Sequence, residues 1–227
     1  MTVWVFISAI LAPALVWIIY FYYKDRFQPE PWRNLGFTYL LGLATALACL
    51  NFFRLLPSIG IPEDPSALIE AHGWSFLFYS IGVIGLVEET FKFLPFLIIV
   101  VRLKAFDEKI DGIVYASTIA LGFASYENFR YLAYLEGFEL FGRAFASPLT
   151  HTIFSSIWGY TAGMARISGK SFLTASLKGL AIAAFLHGLF DFFTTSPALR
   201  IASSLLILVI WIWRIRIMEK FSRRLKK

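Results

Sequence analysis

Charged side chains are scarce in this sequence, and their scarcity excludes most soluble folds. Asp, Glu, Lys and Arg make up 16% of the 227 residues, whereas 58% are hydrophobic and 18% are aromatic. A soluble domain must keep a wettable surface, and its interior cannot hold so large a share of apolar side chains. The lipid bilayer is therefore the expected solvent of the chain.

Cysteine is almost absent too. Cys49 is the single cysteine, so the chain forms no internal disulfide and cysteine usage does not indicate a compartment. Because Cys49 lies in an apolar stretch with no histidine near it in sequence, we expect a small buried side chain and not a nucleophile.

Nucleic-acid-binding motifs are also missing, although the formal net charge is +6. Much of this charge lies in the final segment, 214–227, which follows a hydrophobic stretch. We therefore expect the basic side chains there to contact anionic lipid headgroups, and we expect no nucleic-acid partner.

A membrane-crossing helix needs about 20 mostly apolar residues, and seven stretches meet this requirement. They cover residues 2–23, 35–56, 74–101, 112–135, 148–165, 172–193 and 198–218. The first has no basic segment before it, unlike a secretory signal, so we expect a retained helix. The third contains Pro95, which removes one backbone hydrogen bond and predicts a kink near Phe91 or a strong tilt.

Basic residues alternate between the six predicted loops. The first, third and fifth loops and the tail are basic, the second has no Lys or Arg, and the fourth and sixth hold only Arg143 and Arg200. By the positive-inside rule, the basic loops and the C-terminus face the cytoplasm and the N-terminus faces outward. In the second loop, residues 66–72 are expected to form a turn of helix, with a position on the membrane surface as the alternative.

The predicted fold class is all-α: a polytopic membrane helix bundle of about seven transmembrane helices, N-out and C-in. No repeat, low-complexity segment or soluble domain interrupts the pattern. Residues 1–227 are therefore predicted to form a single integral-membrane domain.

Ionisable side chains nevertheless occur inside the predicted spans, where each costs about 2.5–3.5 kcal/mol on insertion scales. The polar residues are Glu88, Glu89 and Lys92 in the third span, Glu127 and Asn128 in the fourth, His151 in the fifth, and His187 and Asp191 in the sixth. Left unpaired, the central acids and the lysine would together cost on the order of 10 kcal/mol, comparable to the stability of a whole domain. We therefore expect these side chains to meet at one depth around a shared polar interior.

The spacing of these residues predicts local contacts. Glu88 and Glu89 precede Lys92 by four and three residues, so both acids reach the lysine from one helix face. Adjacent helical residues point about 100° apart, which predicts that one of the two glutamates faces the reaction centre directly. His187 and Asp191 are four residues apart, so that the acid can orient the imidazole and fix its tautomer.

Each of these residues also has a purely structural explanation. Glu88 and Lys92 alone would form an ion pair within one helix, with Lys92 neutralising acids instead of acting as a Schiff-base amine. His151 lies near a predicted interface and Asp191 near a span end, where capping and contact with water are common. Asn128 is expected to bridge helices by hydrogen bonds. The combination on four consecutive spans is what indicates chemistry.

Four motifs follow one another along these spans and resemble a known family. They are EExxK at 88–92, FxxxE at 123–127 followed by Asn128, HxxxS at 151–155 and HxxxD at 187–191. The ordered set resembles the PrsW family of bacterial intramembrane proteases, which is related to the type II CAAX prenyl endopeptidases and the CPBP group. The resemblance covers nearly the whole chain. It implies that Glu88, Glu89 and His187 are catalytic and that Glu127 and His151 complete the site.

The resemblance also implies a cellular location and a class of substrate. The chain is expected to be a multi-pass protein of the bacterial cytoplasmic membrane. Its partner would be a single-pass membrane protein, and the expected reaction is a peptide-bond cut such as the first cut in an anti-sigma factor.

Two versions of the chemistry are compatible with these residues. In one, Glu88 or Glu89 takes a proton from water, while His187, together with His151, stabilises the oxyanion or protonates the leaving amine. In the other, His151, His187 and Glu127 hold a zinc ion and another glutamate is the base. The chain has no HExxH motif and its acids outnumber its histidines, which slightly favours the metal-independent version.

Two other classes of function use similar residues. A proton-coupled transporter also places acids and histidines inside the membrane, but no inverted repeat is detectable and only the third span carries a helix break. A non-catalytic membrane scaffold is disfavoured because all four motifs are intact.

Overall fold

The computed structural model describes residues 3–71 and 73–224, and helices account for all the regular structure there. The α-helices are α1 (Val3–Phe6), α2 (Ala12–Lys24), α3 (Trp32–Phe53), α4 (Ser66–Glu70), α5 (Trp74–Tyr79), α6 (Leu86–Ile98), α7 (Asp111–Tyr131), α8 (Gly137–Ser168), α9 (Phe172–Thr195) and α10 (Arg200–Arg224). Two π-helical segments, Ile7–Leu11 and Ser80–Gly85, join α1 to α2 and α5 to α6 without a break. Thr2, His72 and the tail at 225–227, on which parts of the sequence predictions fall, lie outside the described residues.

Four helices in the described chain are long and apolar enough to cross a membrane: Ile7–Lys24, Trp32–Phe53, Phe172–Thr195 and Arg200–Phe221. They coincide with the first, second, sixth and seventh predicted spans, which confirms an all-helical membrane protein. The other three predicted spans are helical as well, but their polar and charged residues lower their mean hydropathy. Composition alone therefore does not establish that seven helices cross the membrane.

Helix α7 lies at the centre of the bundle, with 16 of its 21 residues buried. Such a helix has no single apolar face, because it contacts other helices on all sides. Glycines permit close packing against both neighbours: a Cβ atom added to Gly122 or Gly159 would lie under 3.0 Å from backbone atoms of α3 or α7, respectively. Small residues at helix crossings are a common feature of membrane bundles.

The predicted extent of the loop between the fourth and fifth spans, residues 136–147, is wrong, because the chain turns at 132–136 and α8 already begins at Gly137 and runs through Pro148 to Ser168. Pro148 has no N–H, so the carbonyl of Ala144 lacks its helical donor, and Pro13 similarly deprives Ala9. The amide Nδ2 of Asn128 donates to both carbonyl oxygens, at 3.2 and 3.4 Å. Asn128 thus bridges three helical rods and helps α8 to continue through its proline.

The third span contains an irregularity that the sequence did not predict. Helix α6 continues through Phe91 and Pro95, and the change of helical geometry occurs earlier, at Ser80–Gly85. This π-helical segment packs tightly against α9, since a Cβ atom on Gly188 would lie under 3.0 Å from the backbone of Ser80 and Ile81. This close contact fixes the position of α9 at Gly188 and therefore the position of His187, the residue before it.

The second loop contains the short helix α4, as expected, and none of its residues is buried. The loop before it is tied to α5 by the hydroxyl of Tyr79, which donates to the carbonyl oxygen of Pro62 at 2.7 Å.

Arg214 corrects the prediction for the basic C-terminal segment. Its guanidinium is buried, donates to Ser117 Oγ at 2.6 Å and lies 4.4 Å from the ring centre of Phe21. This arginine therefore joins α10 to α7 and α2 instead of contacting lipid headgroups. Arg216 and Lys220 are exposed, and for them the contact with lipid headgroups stays a prediction.

A cluster of carboxylates that the sequence analysis did not single out lies at the N-terminal end of α7. Asp25, Glu30 and Asp111 are each at most 4% exposed. Burial, followed by the nearby charge of Asp111, raises the pKa of Asp25 to about 8. Burial also raises the pKa of Glu30 to about 7, and the hydroxyl that Tyr115 donates to this carboxylate opposes the rise. Both acids thus carry protons for much of the time at neutral pH.

Candidate active site

The polar residues predicted inside the spans come together in one cluster near the opposite end of α7. Helix α6 supplies Glu88, Glu89 and Lys92, α7 supplies Glu127, α8 supplies His151, and α9 supplies His187 and Asp191. Every one of these side chains has another member of the cluster within 4.0 Å. The convergence expected from the cost of isolated charges in lipid is thus present in the structure.

Glu89 is completely buried and both of its oxygens are fully engaged. Oε1 lies 2.8 Å from Lys92 Nζ and 3.0 Å from His187 Nδ1. Oε2 accepts hydrogen bonds from Ser155 Oγ at 2.8 Å and from Trp158 Nε1 at 2.9 Å. Four donors around one carboxylate satisfy it and hold it still, which suits an orienting group better than one that moves a proton.

Ser155 and Trp158 were not among the predicted site residues. They follow His151 by four and seven positions, a spacing that places all three on one face of α8. That spacing was a usable signal, although a buried serine and tryptophan in a membrane helix are common without any role in a site.

Glu88 is the glutamate that faces open space. Its side chain is 13% exposed, and it borders a cavity of about 1130 Å³ together with His151, His187 and Asp191. Its Oε2 atom lies 3.4 Å from Lys92 Nζ, 3.8 Å from His151 Nδ1 and 3.9 Å from His187 Nε2. The cavity extends from this atom to the second loop, where Asp64 forms part of its wall.

His151 is held at both ring nitrogens. Nε2 lies 2.7 Å from Glu127 Oε2 and Nδ1 lies 2.8 Å from Lys92 Nζ. The second oxygen of Glu127 accepts a hydrogen bond from Arg143 at 2.8 Å. Arg143 escaped the sequence analysis because the segment around it was predicted to be a loop outside the bundle.

His187 is oriented by Glu89 and not by Asp191. Its Nδ1 atom hydrogen-bonds to Glu89, whereas Asp191 Oδ2 lies 3.7 Å from Nε2, beyond hydrogen-bonding distance. The ring of Phe154 stacks on the imidazole at 5.0 Å between ring centres. The imidazole of His151 meets it edge-on at 5.1 Å.

Three atoms in this cluster suit a metal ion: Glu88 Oε2, His151 Nδ1 and His187 Nε2. Ligand atoms of these three residues lie within 4.8 Å of one another, and two imidazoles with one carboxylate are a ligand set found in catalytic zinc sites. Ligands about 2.0 Å from a tetrahedral zinc are about 3.3 Å apart, so the separations of 3.8 and 3.9 Å need only a small contraction.

The surroundings of the two histidines also fit a metal. Glu127 and Glu89 bind the ring nitrogens that face away from the three candidate ligand atoms, as carboxylates commonly do in zinc sites. The sequence predicted Glu127 as a metal ligand together with the two histidines, and this is wrong. Glu127 lies behind His151, and Glu88 is the carboxylate close to both histidines. Lys92 Nζ competes for His151 Nδ1, so a metal there requires this ammonium to move aside.

Comparison with known proteins gives a consistent result. Residues 30–215 match the family described as "PrsW family intramembrane metalloprotease". The matched range includes every residue of the cluster. No solved structure matches the chain significantly.

Several curated proteins named "Protease PrsW" are similar over most of their length. The one from Oceanobacillus iheyensis is 35% identical over 82% of this chain and 81% of its own. The relative from Clostridioides difficile is 31% identical over 98% of this chain and 93% of its own. That from Bacillus subtilis is 30% identical over 84% of this chain and 83% of its own.

Proposed function

Because the chain belongs to the PrsW family of intramembrane metalloproteases, we propose that it cuts a membrane-tethered protein at the cluster around Glu88, His151 and His187. Family membership makes the chain an intramembrane protease and argues against the transporter alternative. The four intact motifs argue against a non-catalytic scaffold. One observation supports this position for the site above all others: side chains that would each be costly in lipid meet on four helices and border one cavity.

Glu88 and Asp191 are the carboxylates with a free side towards the cavity. In the metal-independent version, Glu88 takes the proton of the attacking water and passes it by way of His187 Nε2 to the leaving amine. His187 is prepared for this task because its Nδ1–H is held by Glu89. Glu89 is thus assigned an orienting role, although the resemblance alone made it catalytic.

In the metal-dependent version, Glu88, His151 and His187 would hold a zinc ion, which would supply Lewis acidity at the scissile carbonyl and at water. Asp191 then takes the proton from water, since Glu89 and Glu127 have both oxygens engaged. The family description favours this version. Metal analysis of the purified protein, with activity after chelation and after zinc is restored, separates the two versions. Full activity of metal-free protein would exclude zinc.

The site assignment is tested with His187→Ala in protein reconstituted into liposomes with a single-pass substrate. The variant removes the imidazole between Glu88 and Glu89, so cleavage should stop. Unfolding by heat should still show one cooperative transition. Cleavage at the wild-type rate by a folded His187→Ala protein would contradict the assignment.

The proposed setting is the bacterial cytoplasmic membrane, crossed seven times with the N-terminus outside and the C-terminus inside. Seven helical rods support it: 3–24, α3, 74–98, α7, α8, α9 and α10. Helix α8, with 32 residues, is about 48 Å long and therefore projects beyond a hydrocarbon core of about 30 Å. Reporter fusions after residues 60 and 170 should give opposite locations.

The proposed substrate is a single-pass membrane protein such as an anti-sigma factor. Such a chain can present an extended segment to a cavity that begins at the second loop and ends at Glu88. Incubation with purified single-pass candidates, followed by mass spectrometry of the products, identifies the bond that is cut. A cut confined to soluble, fully extramembrane proteins would contradict this substrate class.

A further inference from the structure

Arg143 stands outside the four motifs, yet it contacts the site directly. Its NH2 atom lies 2.8 Å from Glu127 Oε1. The guanidinium lies 3.4 Å from the ring centre of Tyr131, which holds the planar group against an aromatic face. Two independent contacts thus fix the end of a long side chain that sequence alone placed in a loop.

The carboxylate of Glu127 is held at both oxygens. Arg143 binds Oε1, and His151 Nε2 lies 2.7 Å from Oε2. The last torsion of a glutamate side chain is soft and broadly populated. Without Arg143, this carboxylate would lose the contact that sets its plane.

The orientation of Glu127, together with the Lys92 ammonium 2.8 Å from Nδ1, determines which nitrogen of His151 carries the proton. The carboxylate accepts a hydrogen bond from Nε2–H, so Nδ1 keeps its lone pair. Nδ1 is the atom that lies 3.8 Å from Glu88 Oε2 and belongs to the candidate metal group. In the metal-dependent version this lone pair would bind the ion, and in the metal-independent version it accepts a hydrogen bond from Lys92 Nζ, 2.8 Å away.

The two histidines are supported in different ways. Glu89, behind His187, is locked by buried partners within the bundle. Glu127, behind His151, is 25% exposed, and Arg143 is its only basic partner apart from His151 among the described residues. Apart from the histidine that it orients, Glu127 therefore has Arg143 as its one described ion-pair partner.

We propose that Arg143 is a positioning residue for peptide-bond hydrolysis: by holding Glu127, it keeps the ring of His151 turned with Nδ1 towards Glu88 and His187. This inference rests on the proposed function of the same site. It also explains why the first turns of α8, which contribute no residue that borders the reacting atoms, are packed against α7 at the level of the site.

The first test compares cleavage by wild type, Arg143→Gln and Arg143→Lys. We expect kcat to fall about 10- to 100-fold in Arg143→Gln, as for other residues that orient a site histidine, with KM changed less than about threefold. Lysine should restore part of kcat, because an ammonium reaches Oε1 without the planar stacking on Tyr131. Arg166→Gln, the same change at an exposed position near the end of α8, should cleave like wild type.

A double-mutant cycle separates positioning from general stabilisation. Once Glu127→Gln is present, adding Arg143→Gln should slow cleavage no further, because both changes break one chain of contacts. Effects of the two changes that multiply would overturn the proposal, as would cleavage by Arg143→Gln within twofold of wild type.

A spectroscopic test does not depend on activity. The chain has three histidines, so nitrogen NMR of histidine-labelled protein gives few signals. We expect His151 to be a single tautomer protonated at Nε2 in wild type and in Arg166→Gln, and a mixture of tautomers in Arg143→Gln. If wild type does not cleave but the tautomer shifts as expected, the proposed function fails and the positioning role stands. An unchanged tautomer in Arg143→Gln overturns the positioning role alone.

Discussion

Two clusters of buried carboxylates lie near opposite ends of α7 and are neutralised in different ways. Asp111 and Glu127, one from each cluster, are 16 residues apart, or about 24 Å along the helix. Around Glu127 and Glu89, two basic side chains and two imidazoles lie within 3.0 Å of carboxylate oxygens. Around Asp25 and Glu30, the described contacts come from a backbone N–H group, the hydroxyl of Tyr115 and the carboxyl of Asp111, and none comes from a basic side chain.

The comparison shows why one cluster is suited to chemistry and the other to structure. Fixed cations and imidazoles hold the carboxylates near Glu127 in defined directions and leave Glu88 beside a cavity. Protons neutralise much of the charge of the carboxylates near Asp25, which join the first loop to the start of α7. The following substitutions test this difference between the two clusters, from the largest expected effect to the smallest.

Lys92→Met should be the most damaging change to stability. It leaves Glu89, at 0% exposure, without its ammonium partner, and removing one member of a buried ion pair typically costs about 3–5 kcal/mol. Chemical unfolding in detergent micelles measures the loss. Lys170→Met, at an exposed position, serves as the control. A double variant with Glu89→Gln should recover part of the stability, and a double variant as unstable as the sum of both changes would argue against this pairing.

Gly188→Ala should cost about 1–3 kcal/mol and also slow cleavage. The added Cβ atom would lie under 3.0 Å from backbone atoms of Ser80 and Ile81, which cannot rotate away, so α9 must shift together with His187. Gly36→Ala provides the matched control, because nothing lies within 4 Å of its added Cβ atom. Equal melting temperatures and rates for the two variants would show that α9 does not depend on this close contact.

Asp25→Asn should have an effect no larger than that of Gly188→Ala, and this effect should depend on pH. The raised pKa of about 8 for Asp25 means that the folded protein holds this proton more tightly than the unfolded chain, whose aspartate has a pKa of about 3.9. Stability should therefore fall as pH rises from about 4 to about 8. Asparagine never ionises, so this variant should be more stable than wild type at pH 8.5, by roughly 1–3 kcal/mol.

Thermal unfolding at pH 5.5 and 8.5 measures this difference. Exposed Glu139, changed to Gln, should leave the pH dependence of wild type intact. A pH dependence in Asp25→Asn identical to that of wild type would show that Asp25 is not neutralised by a proton.

The residues of the site could be predicted from the sequence because charged side chains are rare and costly in membrane-spanning segments. Glu88, Glu127 and His187 interrupt otherwise apolar spans, and their cost implied the meeting point that the structure contains. The sequence could not predict whether Glu88 or Glu89 faces the cavity, because this depends on the rotation of α6 about its axis. The orienting partner of His187 was assigned to Asp191 from spacing, whereas the closer carboxylate comes from another helix.

Other features depended on contacts that no local pattern contains. Pro148 marked the start of a span in sequence, and it lies inside α8 because Asn128, distant in sequence, supplies a donor to the carbonyl of Ala144. Asp25 and Glu30 stand in a polar segment where solvated acids are the ordinary expectation, so sequence did not reveal their burial. The apolar stretches of the sequence predicted where the long helices lie, but the ends of the helices depend on packing between them and were not predictable.

The central claim is that Glu88 is the glutamate that works at the cavity, as the base or as a metal ligand, and that its neighbour Glu89 only orients the site. Glu88→Gln tests it most directly, because the side chain makes one long hydrogen bond, at 3.4 Å, with Lys92 and wider contacts of 3.8 and 3.9 Å with the two histidines, so its loss should not unfold the protein. We predict that kcat falls about 10²- to 10⁴-fold with thermal unfolding unchanged. A Glu88→Gln protein that cleaves within twofold of the wild-type rate would contradict the account.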